Sequence, residues 1–169
     1  MKSVFLATLA AIAIQPIIFL GWFITPVLFS GGSVRGSDIL DMIGWVLLVA
    51  TPVVIVFGLP AFFALRQLGR ATPLLLGVAG FLIASVPMAI SGWPRNFGPG
   101  SSSDGNWHGR SVDLVVNGVP TYYGWLSDIE STIYFGLHGL TGALLFIYVW
   151  RRINGGPNYS IKGNTNRSD

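Results

Sequence analysis

The sequence predicts an all-α membrane protein, a bundle of four transmembrane helices with a long extracytoplasmic loop that contains a β-hairpin between helices three and four. Three observations predict this fold class. Of 169 residues, 51% are hydrophobic and only 10% are charged, whereas about 25% of the residues in a soluble domain are charged. Four apolar runs are each long enough to cross about 30 Å of hydrocarbon as a helix. Two β-prone runs flank Asn117-Gly118, a strong hairpin signal.

The predicted membrane spans are residues 4–29, 42–65, 73–93 and 132–150. The first apolar run continues well beyond a possible signal-peptide cleavage motif, which favours a membrane anchor. In the second span, Ser37 is expected to cap the helix, while Asp38 and Asp41 place negative charge near its positive end. Thr72 followed by Pro73 is typical of a helix start and begins the third span.

The long connection, residues 94–131, is expected to lie outside and to have two parts. Residues 98–105 are rich in Gly and Ser and show no apolar periodicity, so they are expected to be mobile. Residues 112–116 and 119–123 are β-prone and are predicted to form the two arms of the hairpin. Pro120 restricts the second arm to an edge strand.

The fourth helix is expected to begin one turn before its membrane span. The sequence Ser127-Asp128-Ile129-Glu130 fits a capping box, in which the first and last side chains satisfy backbone N–H groups at a helix start. The four spans are predicted to form a single domain, residues 1–153. Residues 154–169 are predicted to form a flexible cytoplasmic tail.

The distribution of Lys and Arg predicts how the chain is oriented, because cytoplasmic loops carry an excess of basic residues. Seven basic residues fall on the side of the termini, namely Lys2, Arg66, Arg70, Arg151, Arg152, Lys162 and Arg167, and three on the other side, namely Arg35, Arg95 and Arg110. Both termini are therefore expected to be cytoplasmic. The short loops suit a bacterial inner membrane. Because the basic residues flank the spans and form no patch, nucleic acid is not an expected partner.

Residues that could carry chemistry are sparse. The sequence has no metal motif, phosphate loop or nucleophile motif, and it has no cysteine, so we predict no catalytic residue, no metal site and no cofactor. Asp104, His108 and Asp113 could hold a metal ion only in a loop without helical support. Asp128 and Glu130 are explained by their place at a helix start.

Two polar side chains within the spans stand out, Gln15 and His138. An ionisable residue at membrane depth is a functional hypothesis by default. We expect a neutral His138 that is hydrogen-bonded across helices to Gln15. Haem ligation by His138 would require a second axial ligand, and the other histidine, His108, lies in the loop. A proton relay would require further titratable groups, and the spans contain no Asp, Glu, Lys or Arg.

Aromatic residues cluster around the predicted hairpin: Trp93, Trp107, Tyr122, Tyr123, Trp125 and Tyr134. Such residues either anchor a loop at the membrane–water interface or form a docking surface for a partner. In the fourth span, Gly139 and Ala143 have the spacing of small residues that lets helices approach closely, within the bundle or with a partner's helix. The residues predicted to bind a partner are Trp107, Tyr122, Tyr123, Trp125, Gly139 and Ala143.

These observations favour a non-enzymatic membrane protein that binds another protein in the membrane or at its outer face. It would be an immunity protein against a membrane-targeted, pore-forming toxin, or an accessory subunit of a membrane complex. One alternative is a small oligomeric channel or transporter that uses the helices bent by Pro16, Pro26, Pro52, Pro60 and Pro87. A second alternative is a haem-binding membrane subunit. The lipid bilayer is the one other expected partner, and the oligomeric state is left open.

Overall fold

The computed structural model describes residues 1–29, 31–92 and 97–155. They form four long helices: α1 (Lys2–Phe29), α2 (Gly36–Gln67), α3 (Pro73–Gly92) and α4 (Tyr122–Ile153). A small sheet lies between α3 and α4 and contains β1 (Ser103–Trp107), β2 (Arg110–Val116) and β3 (Val119–Pro120). Each of the four helices is long and apolar enough to cross a membrane, which indicates a multi-pass membrane protein. Trp93 and most of the predicted tail, residues 156–169, lie outside the described residues.

Two helix starts can be compared with their predicted caps. Helix α2 begins at Gly36, ahead of the predicted span, and its cap position is Arg35. The prediction for Ser37 is wrong, because its hydroxyl lies inside the helix and donates to the carboxylate of Asp38 at 3.2 Å. At the start of α3 the prediction is confirmed, since the Thr72 hydroxyl accepts the backbone N–H of Leu75 at 3.2 Å.

Helix α4 begins earlier than the sequence predicts. The N-cap is Thr121, whose hydroxyl oxygen accepts the N–H of Gly124 at 3.1 Å. The backbone N–H of Thr121 also donates to the carbonyl of Leu114 in β2 at 2.9 Å. The predicted capping box at Ser127-Asp128-Ile129-Glu130 is therefore wrong, because these residues lie inside α4. As a result, one continuous helix joins the apolar span to the sheet.

Helix α2 changes its winding near the middle. Residues Val54–Gly58 are π-helical, and the N–H of Leu59 donates to the carbonyl of Val54, five residues earlier. Pro60 has no N–H, so the usual bond to the carbonyl four residues before it cannot form. The wider winding ahead of Pro60 lets the helix continue to Gln67 without a break.

Helix α4 is central to the bundle: it packs most extensively along α3 and next along α1. A Cβ atom on Gly80 of α3 or on Gly139 of α4 would overlap the carbonyl oxygen of the other glycine. Ala143 of α4 also lies close to α3, because a Cβ on Gly80 would lie 2.7 Å from the Cβ of Ala143. The sequence left open whether Gly139 and Ala143 face the bundle or a partner. In the structure they close the bundle.

The buried apolar core lies toward the end of the bundle opposite the sheet and consists of Ala7, Ala11, Phe62, Leu76, Phe146 and Ile147. Elsewhere the bundle exposes many large apolar side chains, and the segment Gly36–Val53 of α2 has no buried residue. Apolar side chains on the outside of a bundle are expected where lipid is the solvent. This distribution of burial agrees with the membrane character of the helices.

Residues 97–121, named the lid from here on, contain the sheet with the strand order β1-β2-β3. Asn117 and Gly118 form the predicted turn between β2 and β3, with φ angles of 50° and 81°. Positive φ at both central residues is the type I′ turn that hairpins prefer. Strand β3 is only two residues long, shorter than the predicted arm 119–123, because the chain turns into α4 directly after it.

Strand β1 was not predicted from the sequence. The expectation that residues 98–105 are mobile is wrong for residues 103–105, because these three residues belong to β1. Strand β1 pairs antiparallel with β2 through a second two-residue turn at His108-Gly109, where both φ angles are again positive. The side-chain oxygen of Asn106 accepts the N–H of Gly109 at 2.7 Å and holds this turn. A His-Gly pair is a much weaker hairpin signal than Asn-Gly.

The close approach of α3 and α4 can be tested with Gly80→Leu. The added side chain must push the two backbones apart, so we expect the free energy of unfolding to fall by about 2 kcal/mol or more. Gly44→Leu in α2 is the matched control, because a Cβ there meets nothing within 4 Å. The measurement is unfolding by SDS titration in mixed micelles. Equal stability of the two variants would contradict the close packing.

The lid turn can be tested with Gly118→Ala. A Cβ at this position would overlap the carbonyl oxygen of Gly98, and the positive φ adds strain. Gly100→Ala has nearly the same φ, 82°, but open space around its Cβ, so it carries the strain without the overlap. We expect amide hydrogen exchange in β2 and β3 to accelerate more in Gly118→Ala, by about tenfold. Equal exchange in both variants would contradict the contact with Gly98.

Candidate functional site

Four large apolar side chains are exposed around the Asn117-Gly118 turn: Phe97, Val116, Val119 and Tyr122. We name this surface the lid tip. Val116 and Val119 lie directly opposite each other in the β2–β3 register, and the N–H of Phe97 donates to the carbonyl of Gly118 at 3.3 Å. Val119 is 66% exposed and Tyr122 is 72% exposed. The lid tip is therefore an apolar surface on a hydrogen-bonded scaffold.

The predicted partner-binding aromatics divide into two groups. Tyr122 belongs to the exposed lid tip, whereas Trp107, Tyr123 and Trp125 are only partly exposed. The ring centroids of Trp107 and Tyr123 are 5.3 Å apart, and those of Tyr122 and Tyr123 are 5.6 Å apart. The Trp107–Tyr123 contact holds β1 of the sheet against the start of α4, and the Tyr122–Tyr123 contact lies within the first turn of α4. Aromatic packing of this kind adds about 1 kcal/mol per pair to the burial of the rings.

Gly124 allows this part of the lid to lie close to α4. A Cβ on Gly124 would overlap the carbonyl oxygen of Leu114 in β2. One side-chain contact also joins the two elements, because Nε2 of His108 lies 3.1 Å from Oε2 of Glu130. The sequence did not predict this pair, since 22 residues separate its members and neither has a distinctive motif.

The metal site weighed from the sequence does not assemble. Asp104 and Asp113 are register partners on β1 and β2, but His108 is engaged with Glu130. Among the described residues no three His, Cys, Asp or Glu side chains come together as a set of metal ligands.

The predicted contact between Gln15 of α1 and His138 of α4 is present. Oε1 of Gln15 lies 2.8 Å from Nδ1 of His138, and Nε2 of Gln15 donates to the carbonyls of Ala11 at 3.2 Å and His138 at 3.3 Å. Both residues are buried. Gly142 makes room for the amide, because a Cβ there would lie 2.5 Å from Nε2 of Gln15.

The hydrogen bonds around Gln15 determine which ring nitrogen of His138 carries a proton. The amide nitrogen of Gln15 must face the two backbone carbonyls, since only it can donate. The amide oxygen therefore faces Nδ1 of His138, and this nitrogen must donate. In the neutral ring Nε2 is then an acceptor, and it is buried without a hydrogen-bond partner in the described structure.

This geometry does not support the haem-binding alternative. A metal-ligating histidine donates a hydrogen bond from one ring nitrogen and binds the metal with the other. The tautomer of His138, taken alone, would be compatible with haem ligation. However, His108 contacts Glu130, and Glu130 precedes His138 by eight residues on α4, about 12 Å along the helix axis. The two histidines are thus too far apart to ligate one iron from its two sides.

A small cavity of about 80 Å³ lies between the four helices near the middle of the bundle. Small and apolar side chains line it, including Ala11, Gly58, Ala79 and Gly139. Among the described residues that line it, Gln15 is the polar side chain, and its amide is already hydrogen-bonded. The cavity therefore does not resemble a hydrophilic ion pathway.

The Gln15–His138 contact can be tested with a double-mutant cycle. Gln15→Leu removes the acceptor of the His138 ring and should lower the free energy of unfolding by about 1–3 kcal/mol, because a buried donor is left unpaired. Gln15→Leu combined with His138→Leu should cost about 1 kcal/mol less than the sum of the single changes. Unfolding in mixed micelles measures each variant.

The matched control for this cycle is Thr141→Val. The Thr141 hydroxyl bonds to the carbonyl of Leu137 in its own helix at 2.8 Å and is exposed, so the change should cost less than about 0.5 kcal/mol. Strictly additive effects of the two leucine substitutions would show that Gln15 and His138 do not stabilise each other.

The chain was compared with known proteins in three ways. No protein-family model matches it. No curated protein matches it, and no solved structure matches it.

Proposed function

We propose that this protein is a non-enzymatic, multi-pass protein of a bacterial inner membrane that binds a partner protein at the outer face through the lid tip. The observation that carries the proposal is the exposure of Phe97, Val116, Val119 and Tyr122 on an ordered scaffold. Contiguous apolar side chains on a polar surface mark interaction sites. Tyrosine is among the residues that contribute most to binding energy at protein interfaces.

The proposed orientation is supported by the distribution of charge between the two ends of the bundle. At the end opposite the lid, Arg66 stacks over the ring of Trp150 at 5.5 Å, and Arg151 donates to the carbonyl of Ala71 at 3.2 Å. Ser3 lies at the same end, where its hydroxyl donates to Asn154 at 3.4 Å. Because basic residues favour the cytoplasmic side, this end is proposed to be cytoplasmic and the lid extracytoplasmic.

Two kinds of partner suit the proposed site. One is a pore-forming toxin that approaches from outside, in which case the chain acts as an immunity protein. The other is a larger subunit of a membrane complex, in which case the chain is an accessory subunit. Both would use the same apolar lid tip, and both require binding without chemistry.

The lid tip can be tested by replacing Val116, Val119 and Tyr122 together with Ser. The expected result is a loss of partner recovery of about tenfold or more in a mild-detergent pull-down, because three apolar contacts are removed. The control is Ser111→Ala with Asp113→Asn, two exposed residues on the other side of the β2 strand. Recovery by the control should stay within about twofold of the unchanged protein.

The two kinds of partner are distinguished by a second measurement. If the recovered partner is a toxin, cells that express the chain should survive it and cells with the serine variant should not. If it is a subunit, it should co-purify at a constant ratio in cells that never meet a toxin. Equal recovery by the serine variant and the control, with hydrogen exchange of the lid unchanged, would rule out the lid tip as the interface.

A further inference from the structure

An apolar groove of about 310 Å³ lies beneath the lid, where α1 and α4 meet. Trp22 of α1 forms one side, Trp107 of β1 closes the upper end, and α4 contributes side chains from Leu126 to Leu137. These α4 residues cover eleven steps of the helix, about 16 Å at ~1.5 Å per residue. One leaflet of a bilayer contributes about 15 Å of hydrocarbon, half of the ~30 Å core. The groove thus matches one leaflet in length.

The lining of this groove is suited to hydrocarbon. Ile129, Ile133 and Leu137 lie on α4 at spacings of four residues, so they share one face of the helix. All three are large apolar side chains that remain substantially exposed. Glu130 is the carboxylate among the lining residues, and its Oε2 is already paired with His108 at 3.1 Å.

The position of Arg110 in the sheet places it near Trp107 at the upper end of the groove. Arg110 is the register partner of Trp107, and directly opposite residues of an antiparallel pair project from the same side of the sheet. Arg110 is exposed and has no ion pair within the described residues. Asp104 and Asp113 are also register partners. Because side chains alternate along a strand, both project from the opposite side of the sheet to Arg110.

We propose that the groove binds one acyl chain of an anionic phospholipid from the leaflet nearest the lid, with the lipid phosphate beside Arg110. The apolar walls exclude a charged ligand from the groove itself. Ile133 and Leu137 lie within the predicted fourth span, where a bilayer supplies hydrocarbon, and the part of the groove from Leu126 to Glu130 extends from there toward the lid. Arg110 attracts the phosphate of either headgroup, but the choline cation of phosphatidylcholine is repelled by Arg110 and offsets part of this attraction, whereas phosphatidylglycerol carries no such cation. Phosphatidylglycerol therefore binds in preference to phosphatidylcholine. This site is separate from the lid tip and adds a lipid to the proposed protein partner.

The acyl-chain part of the proposal is tested with Ile133→Trp, which fills the groove. Its control is Ile55→Trp on α2, because both isoleucines are 48% exposed and Ile55 does not line the groove. Each protein is reconstituted in nanodiscs of equal phosphatidylglycerol and phosphatidylcholine and transferred to mild detergent. Native mass spectrometry then counts the lipids that remain bound.

We expect Ile133→Trp to retain about tenfold less lipid than the control. A loss of this size results if about two methylene groups of the acyl chain are no longer buried in the groove. Ile129→Trp, which fills the upper part of the groove, provides a second variant in case Ile133→Trp does not fold. A thermal melt identifies folded variants. Equal lipid retention by a folded groove variant and by Ile55→Trp would overturn the proposed site.

The headgroup part is tested with Arg110→Gln, with Arg35→Gln as the control at another exposed arginine of the same end of the bundle. The unchanged protein and the control should retain phosphatidylglycerol about two- to fivefold over phosphatidylcholine, the range of an exposed ion pair. Arg110→Gln should retain both equally. No preference in the unchanged protein, or the same preference in Arg110→Gln, would overturn the assignment of Arg110.

The test of lipid binding is independent of the test of the proposed function. The lid-tip variant with serine at Val116, Val119 and Tyr122 leaves the groove residues intact. It should lose the partner protein and keep the lipid. The groove variants should show the opposite pattern.

Discussion

The contact on which the bundle depends is the approach of two backbones at Gly80 and Gly139. Neither residue has a Cβ, and one on either would overlap the other's carbonyl oxygen. Apolar helices in lipid gain little from hiding apolar surface, so close van der Waals packing between small residues must hold them together. Once α3 lies against α4, α1 packs on another side of α4, where Gly142 admits the amide of Gln15. Helix α4 is thus the element around which the others are arranged.

The same helix also determines where the lid sits. Because Thr121 caps α4 and is bonded to β2, the helix continues from the apolar span into the sheet without a flexible joint. Gly124 lets β2 lie against the first turn of α4, and the His108–Glu130 contact adds a second attachment. The lid tip is therefore held in a defined position above the bundle, and this order would reduce the entropy lost on binding the proposed partner.

Polar groups of the bundle lie at its ends and in its interior. The bases Arg66 and Arg151 lie at the end opposite the lid, and Gln15 is hydrogen-bonded to His138 in the interior. The hydrogen bonds of the Gln15 amide are accounted for, while Nε2 of His138 is buried without a partner within the described residues. The lid and its edges, in contrast, expose apolar side chains and Arg110, and these carry the proposed binding sites.

The sequence by itself determined the features that depend on local or compositional signals. Run length and missing charge located the four apolar helices, Thr72-Pro73 marked a helix start, Asn117-Gly118 marked a turn, and the polarity of Gln15 and His138 within apolar runs indicated a pair. Tertiary structure alone decided the rest. Strand β1 exists because β2 offers it a partner, and α4 begins at Thr121 because β2 holds that residue in place. Gly139 and Ala143 face α3 and not another chain because Gly80 lies opposite them. These outcomes depend on contacts between residues distant in sequence, which no local pattern encodes.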